Sequence, residues 1–332
     1  MQLLVLSAAA VRSALGYAEC ADAMRSVLAA RARGEVFQPL RTVLKPPAAA
    51  GLMALMPSYQ SGPAAGYGLK AICVTPGNPA VGLDSHQGIV LLSSPDTGQP
   101  LAVLNASAVT EIRTAAVSAV ATSLLARADA NVLAIIGTGV QARAHLEAIS
   151  ATRPLAEVRV AGRTLEKAAK FAADATVGRG SAVPVIGCES VRDAVAGAGI
   201  IVTVTSSAEP VLRREWLAPG AHINAVGACL PHARELDTAT IAEAALFADS
   251  RESVLAESGD YLLAAADGAI GPDHIRAEIG DLLADEDEPG RRNDDEITVF
   301  DSLGLAVEDL AAAIVAYRTA REQGAGAWVD FD

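Results

Sequence analysis

The chain has 332 residues, a length that suggests two domains, and 51 % of them are apolar, enough to bury a large core. Aromatic residues make up only 4 % and alanine is abundant, a balance that favours packed α/β layers over an all-β sandwich. The formal net charge of −13 argues against a nucleic-acid-binding surface and gives no sign of attraction to a membrane.

Four cysteines occur: Cys20, Cys73, Cys188 and Cys229. None forms a CxxC and none stands at zinc spacing from a histidine, so no metal site is expected and the thiols point to a reducing, cytoplasmic setting. The first residues are apolar but short and lack a basic stretch; they read as a first strand, not a signal peptide. No run of about 20 unbroken apolar residues has membrane character.

In chain order, residues 1–34 predict that strand and then a helix, with Ser7 as N-cap and Met24, Val27 and Leu28 on one face. Between 39 and 100, β-like runs at 40–44, 52–56, 69–74, 88–92 and 100–104 are separated by Gly/Pro breaks, which predicts a mostly antiparallel sheet. A small-residue helix over 109–127 follows, with Arg113 at its start and Asp129 and Asn131 ending it; it suits a connection between two domains. From Val132, strands at 132–136, 158–161, 184–186, 200–205, 221–227 and 245–249 alternate with helices. Thr164 caps one helix over 165–173, and Ser190 opens another in a capping box with Asp193. Such alternation predicts right-handed βαβ units and a parallel sheet. The acidic stretch 281–296 reads as a solvated loop and 297–300 as a strand. A closing helix at 305–317, with Leu310, Ile314 and Tyr317 on one stripe, is expected to return to the N-terminal sheet.

One stretch carries a specific signal. Five apolar residues from Val132 run into Gly137-Thr138-Gly139-Val140-Gln141-Ala142, and a helical pattern follows. Gly137 permits a sharp turn, Gly139 lets a phosphate approach the backbone, and Ala142 allows close helix–strand packing. The helix N-terminus then faces the pyrophosphate of a dinucleotide. The competing reading is a plain strand–helix turn, but strand and helix stand where the motif requires them. The second strand ends in Ala161-Gly162-Arg163-Thr164, without the acid that binds a ribose diol in NAD-preferring units. Arg163 is placed to pair with a 2′-phosphate and Thr164 to donate to it, so NADP(H) is preferred and NAD(H) remains possible; otherwise Arg163 is an exposed arginine at a turn.

Three cations outside that unit have semi-apolar neighbours: Arg41, Lys70 and Arg113. Lys70, inside a strand-like run, is either an edge-strand lysine facing water or a functional group. Arg113 at a helix start runs against the dipole, which hints at an anionic ligand, and arginine grips a carboxylate bidentately. His145 and His222 read as structural, Trp216 as packing, and His86 as either ordering or catalytic.

At this point the chain resembles the ornithine cyclodeaminase/μ-crystallin family. The matching blocks are 40–43, Met56-Pro57-Ser58-Tyr59, Leu69-Lys70, 85–88, 113–120, 137–142, 220–227, 257–260 and 298–309. The resemblance implies a homodimer acting on a small imine or amino acid. A substrate-binding and dimerisation domain would comprise 1–113 and 300–332, and a Rossmann domain 114–299. It further implies that Arg41 and Arg113 hold the substrate carboxylate and that Lys70 is catalytic, near the imine nitrogen. Gly137, Gly139, Val140 and Gln141 would hold the pyrophosphate, and Arg163 and Thr164 the 2′-phosphate. Thr205, Val226, Ser302, Leu303 and Gly304 would line the nicotinamide.

Two departures refine the expectation. Cyclodeaminases carry an aspartate after the Asn-Ala-Val-Gly block, which handles the side-chain amine; here Cys229 stands in its place, a poor substitute for a carboxylate. They also usually carry an acid where Arg163 stands. Both point to the reductase branch: NADPH-dependent reduction of a cyclic ketimine acid of the Δ1-pyrroline-2-carboxylate or Δ1-piperideine-2-carboxylate type. The alternatives are a cyclodeaminase-type lyase, an alanine dehydrogenase or opine-type imine reductase, and a non-enzymatic NADPH-dependent binding protein.

Overall fold

A computed structural model of the protein describes residues 2–179, 183–285 and 287–332. Met1 of the expected first strand and Glu286 of the acidic stretch lie outside the described residues. The architecture is the expected mixed α/β type with a parallel sheet, and the chain divides into two compact units, residues 1–116 with 304–332, and residues 117–303.

The first unit is built on an eight-stranded sheet. Its order is Ala327–Asp330, Gln2–Leu6, Pro100–Asn105, His86–Ser93, Gly66–Val74, Leu52–Gln60 and Val36–Phe37, and Thr42–Leu44 also pairs with Leu52–Gln60. Only the pair Gln2–Leu6 with Pro100–Asn105 is parallel. Period-two alternation turns Ala54, Met56 and Ser58 inward opposite Ile72, Lys70 and Gly68. The helix Ala306–Gln323 packs on that face through Leu310 and Ile314, and Ser58 Oγ donates to the Ala306 carbonyl at 3.1 Å.

The expected N-terminal helix is two helices, Ala8–Ala14 and Tyr17–Ala32. Leu15 is extended and Gly16 becomes the second N-cap, so the chain turns there. Ser7 caps the first helix through Ala10 N, and Met24, Val27 and Leu28 are buried. The C-terminal strand Ala327–Asp330 had no sequence signal of its own; it exists because Gln2–Leu6 offers it an edge.

The second unit carries an eight-stranded sheet in which every neighbouring pair is parallel. The order is Val185–Gly187, Glu157–Ala161, Val132–Ile136, Ile200–Thr203, His222–Ala225, Thr298–Asp301, Ala245–Ala248 and Ile275–Glu278. Four of the strands are buried throughout, as a sheet covered on both faces requires. Strand order reverses between Val132–Ile136 and Ile200–Thr203, and open α/β sheets bind ligands at the carboxyl ends of strands beside such a reversal. The edge strand Ile275–Glu278 was not foreseen. The start of the acidic stretch is a helix, Ile279–Ala284, not loop, because Glu278 and Asp281 cap it reciprocally.

The helix Ala106–Leu125 corrects a second expectation. It begins three residues earlier than the pattern suggested, with Asn105 Oδ1 accepting from Ala108 N at 3.0 Å, and ends at Leu125. Arg113 therefore lies two turns inside the helix, and the dipole argument for an anionic ligand does not apply to it. By length and composition the helix could cross a bilayer, yet 78 % of its most apolar window is buried inside the protein.

Candidate active site

In the first unit, three chain segments bring four charged groups together, and a fourth segment adds Arg41. Lys70 comes from the strand Gly66–Val74, Arg113 from the helix Ala106–Leu125, and Glu308 and Asp309 from the first turn of Ala306–Gln323. Lys70 Nζ lies 2.7 Å from Asp309 Oδ2, Arg113 Nε donates to Asp309 Oδ1 at 3.0 Å, and Arg113 Nη1 donates to Glu308 Oε2 at 2.8 Å. Glu308 Oε2 also accepts Leu305 N at 3.1 Å, which fixes the carboxylate to the helix start. Arg41 Nη2 donates to the Gly304 carbonyl at 3.2 Å.

Lys70 is 4 % exposed, so it is not an edge lysine facing water. Burial lowers its pKa to about 8; Asp309 opposes that shift, while Arg113 and Arg41 reinforce it. A lysine poised there holds a proton at neutral pH and can still release it. His86, at the start of the strand His86–Ser93, is kept below its ordinary pKa first by burial and then by Lys70 and Arg113, against Asp84. Its Nδ1 lies 3.0 Å from Ser85 Oγ, and Ser107 Oγ donates to its carbonyl.

Gly304 has φ +79°, and a Cβ there would lie 2.6 Å from Arg113 Nη2. Both the left-handed backbone and the guanidinium demand glycine. Gly304→Ala is expected to displace Arg113 and raise KM for an anionic substrate, which steady-state kinetics checks.

In the second unit, Gly137 (φ +133°) closes the strand Val132–Ile136, and a Cβ there would press on the Val204 carbonyl at 2.7 Å. Gly139 is the N-cap of the helix Val140–Thr152 and makes no side-chain cap bond. A Cβ on Gly139 would meet nothing within 4 Å, so the space beside the first-turn amides is open and fits a pyrophosphate. Val140 is exposed, Gln141 is half-buried and Ala142 is buried. Arg163 and Thr164 are exposed, and Thr164 Oγ1 accepts from Lys167 N at 3.3 Å. Thr205 and Val226 follow the adjacent strands Ile200–Thr203 and His222–Ala225; Ser302 and Leu303 follow Thr298–Asp301.

Sequence reasoning gave no role to the carboxylates that hold these strand ends. Glu235, fully buried, accepts Thr205 N at 2.5 Å and Gly227 N at 2.7 Å, tying two neighbouring loops together. Asp260 accepts Glu235 N and Leu236 N, Asp249 accepts Leu303 N at 2.7 Å, and Ser258 Oγ donates to Asp301 at 2.6 Å. Burial raises the pKa of Glu235 and Asp260 and lifts Asp301 to about 7, with neighbouring acids pushing Asp260 and Asp301 the same way. Asp260 and Asp309 stood inside recognised blocks, but their partners lie far away in sequence. Cys229 is half-buried, its Sγ 3.2 Å from the Val226 carbonyl. His145 is buried between the Gln141 carbonyl at 2.8 Å and Ser118 Oγ at 2.9 Å, and burial lowers its pKa to about 4. His222 Nδ1 lies 3.0 Å from Thr298 Oγ1.

An open phosphate cradle on a parallel sheet, accompanied by a buried lysine–carboxylate–arginine cluster, defines a dinucleotide-dependent class of protein. Residues 1–324 match the model of the ornithine cyclodeaminase/mu-crystallin family, and the chain belongs to that family. The ketimine reductase mu-crystallin of Mus musculus is 44 % identical over 284 residues, 86 % of this chain and 85 % of that protein. Among solved structures, Thermococcus litoralis Δ1-pyrroline-2-carboxylate reductase in complex with NADH and L-proline superimposes with TM-score 0.93 at 36 % identity, covering 98 % of this chain and 99 % of that one. An archaeal alanine dehydrogenase dimer with bound NAD superimposes with TM-score 0.92 at 33 % identity, covering 100 % of both chains.

Proposed function

We propose that this protein is an NADPH-dependent reductase of cyclic ketimine acids, acting on Δ1-pyrroline-2-carboxylate or Δ1-piperideine-2-carboxylate. The protein is a pyridine-nucleotide-dependent oxidoreductase acting on a carbon–nitrogen bond. The observation that carries the reading is Lys70: a buried ammonium, held by Asp309, with a pKa of about 8. The relatives named as ketimine and pyrroline-2-carboxylate reductases support it.

Arg41, held by the Gly304 carbonyl, and Arg113, held by Glu308 and Asp309, take the substrate carboxylate. Lys70 donates a proton to the imine nitrogen, which makes the neighbouring carbon electrophilic. A nicotinamide cofactor held at Gly137, Gly139, Val140 and Gln141 would supply the hydride to that carbon. The C=N bond becomes C–N, giving proline or pipecolate, and the Lys70 amine regains its proton from water. A half-buried thiol at Cys229 offers no carboxylate to deprotonate a substrate amine, which sets the chain apart from cyclodeamination.

The phosphorylated cofactor is favoured because Arg163 is exposed at the end of Glu157–Ala161 and no acid stands there. Arg163→Ala is expected to raise KM for NADPH about tenfold, equivalent to ~1.4 kcal/mol, and to leave KM for NADH unchanged. A homodimer is part of the proposal: the outer face of the first unit's sheet exposes Leu44, Met53, Leu55, Tyr67 and Ile89, an apolar surface that a second copy would cover. The four free thiols fit a cytoplasmic setting.

The test is NADPH oxidation against five-ring, six-ring and open-chain imines. Steady cofactor loss with a cyclic imine supports the reading. Turnover of pyruvate with ammonia instead would favour the alanine dehydrogenase reading, which the similarity to that structure supports. Conversion of ornithine without net cofactor consumption would mark a lyase, and tight NADPH binding without turnover a binding protein.

A further inference from the structure

Asp309 stands where one carboxylate meets both cations of the site. Its Oδ2 lies 2.7 Å from Lys70 Nζ and its Oδ1 accepts Arg113 Nε at 3.0 Å, so its two oxygens set the spacing between the proton donor and the carboxylate-binding arginine. Asp309 is 1 % exposed, and its position on the first turn of Ala306–Gln323 is secured by Glu308, which accepts Leu305 N and Arg113 Nη1. Arg113, Arg41, Glu308 and Asp309 leave this cluster, Lys70 included, with one positive charge in excess. One substrate carboxylate neutralises that excess.

We propose that Asp309 is the positioning residue that keeps Lys70 protonated and aimed for imine reduction, a role that rests on Lys70 as the proton donor. Without the Asp309 charge, burial and the neighbouring cations would strip Lys70 of its proton in the neutral range, because an unpaired buried ammonium is strongly disfavoured. The groups facing Lys70 are Asp309 and Arg113 from the two helices, Arg41 ahead of Thr42–Leu44, and His86 at the start of the neighbouring strand. Behind them lie Glu308 and the buried Cys20 thiol of Tyr17–Ala32, which burial pushes far up. Of these, Asp309 contributes the negative charge in direct contact with Lys70.

Lys70 must carry its proton to donate it, so activity falls as pH rises through the Lys70 pKa. Asp309 raises that pKa; Asp309→Asn lowers it. The basic limb of the kcat/KM profile is therefore expected to move down by roughly one to three pH units. Turnover should be retained at acidic pH, where the lysine is protonated in either protein. Glu308→Gln, which loses a partner of Arg113 and none of Lys70, is expected to raise KM and leave the limb where it is.

A second readout needs no substrate. The chain has four lysines, Lys45, Lys70, Lys167 and Lys170, so selective ¹³C labelling gives four Cε signals, with Lys70→Arg assigning the buried one. In wild type the Lys70 signal is expected to titrate near the basic limb, and in Asp309→Asn well below it. If Asp309→Asn does not accumulate folded, Asp309→Ser, neutral and smaller, reads the same shift. A uniform loss of activity at every pH, or a Lys70 titration that Asp309→Asn does not move, overturns the proposal. Absence of imine turnover by the wild type would defeat the proposed function alone, since the NMR titration still reports whether Asp309 holds the Lys70 proton.

Discussion

Lys70→Ala is expected to lower kcat/KM for a cyclic ketimine by about 10²–10⁴-fold, the usual contribution of a positioned general acid, while NADPH binds as before. Lys70 lies in the first unit, whereas the phosphate cradle of Gly137 and Gly139 lies in the second, so the two readouts separate cleanly. Lys70→Arg sharpens the result. Arginine keeps the positive charge beside Asp309 but does not release a proton near neutral pH. If charge alone mattered, Lys70→Arg would retain activity; if proton donation matters, it fails together with Lys70→Ala. Near-normal turnover of Lys70→Ala removes Lys70 from the mechanism. Stopped-flow measurement of NADPH consumption, with fluorescence titration of NADPH binding, reads both quantities.

Arg113→Met is expected to have the largest effect on stability. Arg113 is 4 % exposed and is shared by two carboxylates that are themselves buried, Glu308 and Asp309. Removing the cation takes the arginine partner from Glu308, while Asp309 keeps Lys70. Breaking a buried pair in this way typically costs about 3–5 kcal/mol, and substrate binding should be lost as well. The stability loss should shrink when the stranded charge is removed too: Arg113→Met with Glu308→Gln should be more stable than Arg113→Met alone, a non-additivity expected of residues in one network. Denaturant unfolding of the wild type and of the two variants supplies the comparison. A double variant no more stable than the single one would mean that burial of the Glu308 charge is not what makes Arg113 necessary.

Much of the fold was legible because the controlling interactions are local. An apolar run from Val132 ending in Gly137 specifies a buried strand and a sharp turn through its own backbone, and the structure places a strand and helix there. Ser7, Thr164 and Ser190 act as helix caps because capping is a contact over three residues. Asn105 ends a strand and also accepts from Ala108 N, so one residue serves two elements and Arg113 lies inside the helix rather than at its start. The break at Leu15 and Gly16 shows the limit of periodicity, because apolar spacing continues across it while the backbone turns.

The candidate site divides along the same line. Composition, the glycine turn and the absence of an acid beside Arg163 were enough to indicate a dinucleotide-binding α/β protein and to favour a phosphorylated cofactor. The cations Arg41, Lys70 and Arg113 could be singled out by their apolar neighbours. Their counter-charges could not, because Glu308 and Asp309 meet Arg113 across separations of 195 and 196 residues, and nothing in either local sequence marks the pairing. Tertiary structure decided which lysine is buried, which carboxylate lies beside it, and which acids pin the ends of the parallel strands. The reason is desolvation: a lysine or aspartate in a string of letters has an ordinary pKa, and only when other parts of the chain exclude water from Lys70 and bring Asp309 to it does that amine become a group that can hold a proton and give it up near neutral pH.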